Sequence, residues 1–348
     1  MYSRYLMNKQ RIEFLDIAKG FGILLVVWNH ANGPFSYQIN QFHMPFFFII
    51  SGLVYKQTSA LGRFAKNRVN RLYIPFVFWN SLAIWIEWFL RRNDFSAVLK
   101  HEFLILFTLS KADQYFGATW FLGALFLVSI LYKLLDTLML AQKYRDNIIL
   151  ALFIMIAFCG FHFSLPYAIS RTLILSMFFA LGVFANSHKN LFRIFDNPYA
   201  IIICTVLFII IGPYDSVRMA ANEYSHPILF IAGSIFASHV VLYLCKILAQ
   251  LNSSVFPAVR KCLVFFGKRS MDIVIWHLLF FRIGIILQMY LNGEAITVHN
   301  ALQYYPLYDS ANGWFLIYFA IGILIPILWC NLLRIGPWGK CLKRIHAA

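Results

Sequence analysis

About ten long apolar segments, separated by short polar loops, constrain the fold of this chain more than any other feature. The segments, with boundaries given to within several residues, are 14–33, 44–61, 72–90, 116–135, 148–164, 172–187, 199–213, 226–249, 271–291 and 312–333. Because backbone groups in lipid must bond to one another, helices are the expected spanning element. The sequence therefore predicts an all-α polytopic membrane helix bundle with about ten transmembrane helices, formed by a single domain over residues 1–348.

The composition excludes a soluble protein. The chain is 61% hydrophobic and only 13% charged, whereas soluble domains are about one quarter charged. The net charge of +16 would suit a nucleic-acid-binding protein, but the basic residues lie in short loops between apolar spans and not on one soluble face. The expected partner is therefore the lipid bilayer and not nucleic acid.

Loop charges predict the topology. With the N-terminus inside, about 23 of the 30 Lys and Arg residues fall on the cytoplasmic side, as the positive-inside rule requires. The inner groups lie within 4–19, 56–71, 133–145, 189–193, 246–269 and 334–344. Both termini are thus expected in the cytoplasm, with Lys133 among the inner loop charges. The segment 95–115 is amphipathic and is expected on the outer surface.

Ionisable residues in the first span indicate a buried site. Lys19 and His30 are 11 residues apart, which is three helical turns plus about 20°, so they share one face about 16 Å apart. Asp16 lies close to the same face. Because polar groups in lipid are costly, this face is expected to point into the bundle. The alternative for Asp16 and Lys19 is an interfacial ion pair with Lys19 extended towards water.

His43 opens the second predicted span, close in sequence to His30. Two histidines without a third ligand are poor evidence for a metal, and no metal is expected. They favour acid–base chemistry, because imidazole titrates near neutrality. The alternative for His43 is a helix-start residue bonded to nearby backbone. Ser51 lies further along the same span and is a candidate hydrogen-bond donor.

Two further groups of charges are candidate binding residues. Arg68 and Arg71 are spaced i, i+3, so a helix would present both on one side, and guanidinium groups match phosphate oxygens. The alternative is an anchor that touches only lipid headgroups. His277 and Arg282 lie inside the ninth span. Arg282 needs a partner or a water-lined cavity, and Glu87 of the third span is a candidate partner.

Several motifs occur together in one order. They are Lys19 to His30, Phe42-His-Met-Pro-Phe-Phe-Phe with Ser51-Gly52, Arg68 with Arg71, Ala118-Thr-Trp-Phe-Leu-Gly-Ala-Leu, and Ser270 to His277. In this order the chain resembles the membrane acyltransferase-3 family, which includes surface-polysaccharide O-acetyltransferases, and especially its fucose 4-O-acetylase-like branch. Trp276 departs from the pattern, because the family often has tyrosine there.

The resemblance implies an O-acyltransferase in the bacterial cytoplasmic (inner) membrane. It implies acetyl-CoA as cytoplasmic donor and a glycan, often lipid-linked, as acceptor. His30 is the expected general base, directly or through an acyl-histidine, with Asp16 and His43 as further catalytic residues. The expected donor-binding residues are Lys19, Arg68 and Arg71, and the expected substrate-binding residues are Ser51, Glu87, His277 and Arg282. A homo-oligomer is left open.

The competing interpretation is a transporter or flippase for a glycolipid or small metabolite, because such a protein also buries charge at mid-membrane. The lack of a visible internal repeat counts against it. Release of free CoA from acetyl-CoA discriminates the two, since a carrier moves solute without consuming the donor.

Overall fold

The computed structural model describes residues 2–57, 60–91, 94–109, 114–163, 165, 169–214, 216–251, 256–297, 300–301 and 304–335. Its helices are α1 Tyr2–His30, α2 Ser36–Leu53, α3 Leu61–Arg68, α4 Ile74–Arg91, α5 Phe95–Phe103, α6 Trp120–Leu138, α7 Arg145–His162, α8 Ile169–Ser187, α9 Lys189–Phe192, α10 Pro198–Ile211, α11 Pro227–Gln250, α12 Phe256–Lys268, α13 Ser270–Leu291 and α14 Trp314–Ile335. Lys340, Lys343 and Arg344, which the loop charges place in the cytoplasm, lie outside the described residues.

Short elements join these helices. Val69–Tyr73 is a π-helical turn between α3 and α4, and a second π-helical turn, Leu104–Thr108, extends α5. A short antiparallel pair, β1 Val217–Arg218 and β2 Glu223–Tyr224, follows α10, with Val217 opposite Tyr224. The structure is thus an all-α polytopic membrane protein, as predicted.

Among the described residues, seven helices are long and apolar enough to cross a membrane, or eight if the bent pair Lys189–Phe195 and Pro198–Tyr214 forms one span. Neither α1 nor α2 is in that set, because α1 contains Glu13, Asp16 and Lys19 and α2 opens with polar residues. These are the two helices that carry the first candidate site residues. The described residues therefore support seven or eight spans, and the prediction of ten requires that α1 and α2 cross the membrane as well.

The second predicted span is displaced in the structure. The predicted range was 44–61, whereas α2 runs from Ser36 to Leu53 and contains Pro45. Proline has no N–H to donate to the carbonyl of Gln41, one turn earlier. The hydroxyl of Ser234 donates to that carbonyl instead, at 2.8 Å. A side chain from another helix therefore lets α2 continue through a residue that locally favours a helix start.

The chain divides into two compact units. The first unit comprises Met1–Leu25, Tyr37–Leu61 and Val128–Ser270, and the second comprises Val26–Ser36, Gly62–Leu127 and Met271–Ala348.

Glycines bring helix backbones together in the first unit. A Cβ at Gly20 would lie 1.9 Å from the carbonyl oxygen of Leu263, so α1 and α12 touch through their main chains. A Cβ at Gly52 would lie 2.2 Å from the carbonyl oxygen of Phe179, and one at Gly182 would lie 2.2 Å from that of Ile49. Small residues at such crossings are how membrane helices pack closely without a hydrophobic driving force.

Gly52→Ala is expected to lower the melting temperature of the purified protein, because the new methyl group meets a carbonyl oxygen that cannot turn away. Overpacking of this kind costs about 1–3 kcal/mol. Gly62→Ala is the matched control, since nothing lies within 4 Å of its Cβ position. In a helix it should leave the melting temperature unchanged or raise it. Equal melting temperatures for the two variants would contradict the close approach of α2 and α8.

Aromatic residues form the interior of the second unit. Trp79 of α4 packs edge-on against Trp276 of α13, with ring centroids 4.5 Å apart, and Phe116 contacts both rings. Trp28, near the end of α1, packs edge-on against Phe315 of α14. Such pairs add about 0.5–1.5 kcal/mol each beyond the area that they bury. The end of α1 is therefore held by α14, and α13 is held by α4.

Candidate active site

Two histidines from opposite ends of the chain meet in the second unit. Nδ1 of His30, the last residue of α1, lies 2.8 Å from Nε2 of His277 on α13. The ring planes are 19° apart. His277 is fully buried, whereas His30 is half-buried. The sequence predicted both as site residues, and the structure brings them together.

The hydrogen bonds determine which nitrogen carries each proton. Nδ1 of His277 lies 2.8 Å from the carbonyl oxygen of Ile273, which can only accept, so this nitrogen donates. In the neutral ring, Nε2 of His277 is therefore an acceptor, and the Nδ1–H of His30 donates to it. Nε2 of His30 then carries the lone pair. This is the tautomer that a general base needs, and His277 positions it.

The same reasoning limits the role of His43. Its Nδ1 lies 2.9 Å from the carbonyl oxygen of Ile39, one turn earlier, and its side chain is buried. A neutral His43 therefore presents an acceptor at Nε2 and cannot donate to a carbonyl oxygen. Of the alternative interpretation of His43, the bond to nearby backbone is present. The position at a helix start is wrong, because His43 is the eighth residue of α2. Ser51, half-buried on the same helix, has a hydroxyl that can donate.

Asp16 and Lys19 form an ion pair with each other. The two charged atoms are 2.7 Å apart on α1, in the first unit, with Asp16 buried and the Lys19 side chain 36% exposed. This is the geometry of the interfacial pair considered above. A catalytic role for Asp16 and a donor-binding role for Lys19 stay predictions.

Arg68 and Arg71 straddle the change from α-helix to π-helix. Arg68 is the last residue of α3, half-buried, with its guanidinium over the ring of Phe64 at 4.9 Å. Arg71 is exposed within the π-helical turn. Because a π-helix closes its hydrogen bonds over five residues, the i, i+3 neighbours of an α-helix are displaced. Whether the two arginines act together on one ligand stays a prediction.

Arg282 contacts the loop that follows α13 in the second unit. Its guanidinium donates to the carbonyl oxygens of Ala301 at 3.0 Å and Tyr304 at 2.5 Å, and it lies over the ring of Tyr115 at 5.1 Å. A half-buried guanidinium in a span is thereby matched with carbonyl oxygens and an aromatic face. Glu87, half-buried on α4 of the same unit, stays a predicted partner.

Sequence reasoning missed a buried charge cluster in the first unit. Lys133, which the loop charges place on the cytoplasmic side, lies within α6 and is 3% exposed. Its Nζ lies 3.2 Å from Asp136, which is fully buried and also accepts from Tyr55 at 2.6 Å and pairs with Arg145 at 3.6 Å. The sequence feature that could have predicted this cluster is a pair of opposite charges, Lys133 and Asp136, at i, i+3 inside an apolar segment.

The fold and the histidine pair define a class of protein: a multi-pass membrane protein in which a half-buried and a buried histidine are hydrogen-bonded to each other. A family model described as an acyltransferase domain, that of the acyltransferase-3 family, matches residues 12–333. The chain therefore belongs to the acyltransferase-3 family and is a membrane acyltransferase. The same comparisons found no match among curated proteins or solved structures.

Proposed function

We propose that the protein moves an acetyl group from cytoplasmic acetyl-CoA to a hydroxyl of a surface glycan or lipid-linked saccharide, in the bacterial cytoplasmic membrane. The observation that carries this proposal is the His30–His277 hydrogen bond, which leaves Nε2 of His30 as a base in a protein of the acyltransferase-3 family.

When bound, the acyl-CoA supplies an activated acyl group as a thioester. Nε2 of His30 takes the proton of the acceptor hydroxyl, whose oxygen forms a bond to the acyl carbon. As the carbon–sulfur bond breaks, His30 returns that proton to the departing sulfur, so the imidazole ends neutral. His30 is the last residue of α1, and the partial negative charge of the helix end stabilises the imidazolium between the two transfers.

The residues present fit the phosphates of a CoA donor. Arg71 is exposed and Arg68 is half-buried, on the segment that the loop charges place on the cytoplasmic side. Two guanidinium groups suit a diphosphate, because each offers paired N–H donors. Both arginines belong to the second unit, as do the histidines. α4 continues from this segment, and its Trp79 packs on Trp276, the neighbour of His277.

The proposal is tested by reconstituting the purified protein in proteoliposomes with acetyl-CoA and an extract of lipid-linked saccharides. Release of free CoA together with an added mass of one acetyl group on the saccharide is the expected result. Solute movement without CoA release would identify a carrier and overturn the proposal. Mass spectrometry of the product also names the acceptor.

Arg68→Ala combined with Arg71→Ala is expected to raise the dissociation constant for acetyl-CoA roughly a hundredfold, since each lost charge-assisted contact removes about tenfold in affinity. Binding of the acceptor should change far less. Isothermal titration with acetyl-CoA measures the effect. Arg63→Ala, which removes an exposed charge from the same helix, is the control. Unaltered CoA affinity in the double variant would place the donor elsewhere.

His277→Phe is expected to lower kcat about 10–100-fold with little change in KM, because it removes the acceptor that orients the His30 ring while keeping an aromatic ring. His277→Gln retains a side-chain oxygen that can accept from Nδ1–H of His30, and should recover part of the loss. A purely structural role would instead lower the melting temperature of both variants and leave their kcat values alike.

A further inference from the structure

A cavity of about 460 Å³ in the first unit is not used by any step of the proposed reaction. Its size lies within the range of small-molecule sites, about 300–1,000 Å³. It is framed by α1, α2, α8, α9 and α11, and the residues used below are Leu53, Lys189, Arg193, Asp196, Leu242 and Lys246.

The segment Lys189–Phe195 has two different faces. Lys189, Asn190, Phe192 and Arg193 of this segment line the cavity, as does Asp196 directly after it. Leu191, Ile194 and Phe195 lie between them and are 51%, 69% and 50% exposed. The segment then bends by 75° into the apolar α10. A short amphipathic segment at the end of a spanning helix is suited to the membrane surface, with its apolar face in lipid.

The lining combines basic and apolar side chains. Lys189, Arg193 and Lys246 supply positive charge, whereas Leu53 and Leu242 are apolar. Among the lining residues the acidic side chain is Asp196, and it is ion-paired with Lys246. The remaining charge in the cavity is therefore positive. This combination suits an anion that carries hydrocarbon.

Arg193 is the side chain that a ligand would meet. It is exposed, and within the described part of the chain its guanidinium has no ion pair or hydrogen bond. Lys189, four residues before Arg193, lines the same cavity. A guanidinium with an ammonium beside it matches a phosphate, because the planar fork takes two oxygens and the ammonium adds a point charge.

We infer that this cavity binds one anionic phospholipid from the leaflet that the loop charges place on the cytoplasmic side. The lipid phosphate lies between Arg193 and Lys189, and the glycerol with the first methylene groups lies on Leu53 and Leu242. Charge complementarity favours an anionic over a zwitterionic lipid, since each basic residue near such a surface contributes about fivefold in affinity. This inference does not depend on the acyl transfer reaction.

Native mass spectrometry of the full chain, released from nanodiscs containing equal amounts of phosphatidylglycerol and phosphatidylcholine, tests the inference. The wild type should retain one phosphatidylglycerol in preference to phosphatidylcholine. Arg193→Ala should lower this retention about fivefold. Ala249→Trp, which fills the cavity without changing its charge, should lower retention as well. Lys143→Ala is the matched control, because it removes an exposed charge that does not line the cavity.

Equal retention of the two lipids by the wild type would overturn the inference, as would equal losses in Arg193→Ala and Lys143→Ala. Acetyl-CoA titration of the same variants separates a lipid phosphate from the phosphates of a soluble nucleotide. Unchanged acetyl-CoA affinity in Arg193→Ala is expected. A loss of that affinity with lipid retention intact would assign the cavity to the nucleotide and overturn the lipid site.

Discussion

His30→Ala is expected to lower kcat for acyl transfer by about 10²–10⁴-fold, the range typical of a positioned general base. The variant removes Nε2 of His30, the nitrogen on which the hydrogen bond to His277 places the lone pair, while His277 keeps its own bond to the carbonyl of Ile273. Without Nε2 of His30, the hydroxyl proton must go to water. The measurement is free CoA released by reconstituted protein at saturating acetyl-CoA and acceptor.

The fall in kcat reports a loss of catalysis only if the His30→Ala protein still inserts into the membrane and folds. His30→Ala should insert and elute as the wild type does, with a melting temperature lowered only by the loss of the hydrogen bond to His277, about 1–3 kcal/mol. His162→Ala is the matched control, because His162 ends α7 in the other unit and is exposed. Unchanged turnover in His30→Ala, with His162→Ala also active, would remove His30 from the reaction.

Hydropathy predicted most of the helices, because a segment that crosses a bilayer must itself be long and apolar enough to do so. The predicted range 226–249 differs by one residue at each end from α11, and 271–291 nearly coincides with α13. α2 was displaced because its stability through Pro45 depends on a hydroxyl 193 residues away from Gln41, which no local pattern records.

The pairing of the site residues was beyond the reach of periodicity. His30 and His277 are 247 residues apart in the chain, so their hydrogen bond depends on how α1 and α13 pack. Spacing along α1 indicated that His30 points inward, and the family motifs indicated that His277 belongs to a site. Neither indicated that one imidazole sets the tautomer of the other. The π-helical turn at Arg71 could not be predicted either. Two arginines three residues apart look the same in the sequence whether the segment folds as an α-helix or as a π-helix.

Lys133→Met is expected to destabilise the folded protein by about 3–5 kcal/mol, the cost of removing one member of a buried ion pair. Asp136 is fully buried and holds Lys133, Tyr55 and Arg145 together, so it joins α6 and α7 to the residues that follow α2. Arg145 remains after the substitution but is 3.6 Å from Asp136, too far for a hydrogen bond. Thermal or chemical unfolding in detergent measures the loss.

The double variant Lys133→Met with Asp136→Leu should recover most of that stability, because it removes the carboxylate together with its partner and leaves an apolar contact in place of a buried pair. Lys246→Met is the control: its partner Asp196 is 28% exposed and solvated, so breaking that pair should cost at most about 1 kcal/mol. A single variant as stable as this control would mean that water reaches Asp136. A double variant less stable than the single one would mean that the cluster stabilises the fold through hydrogen bonds to Asp136 and not through its charge pair with Lys133.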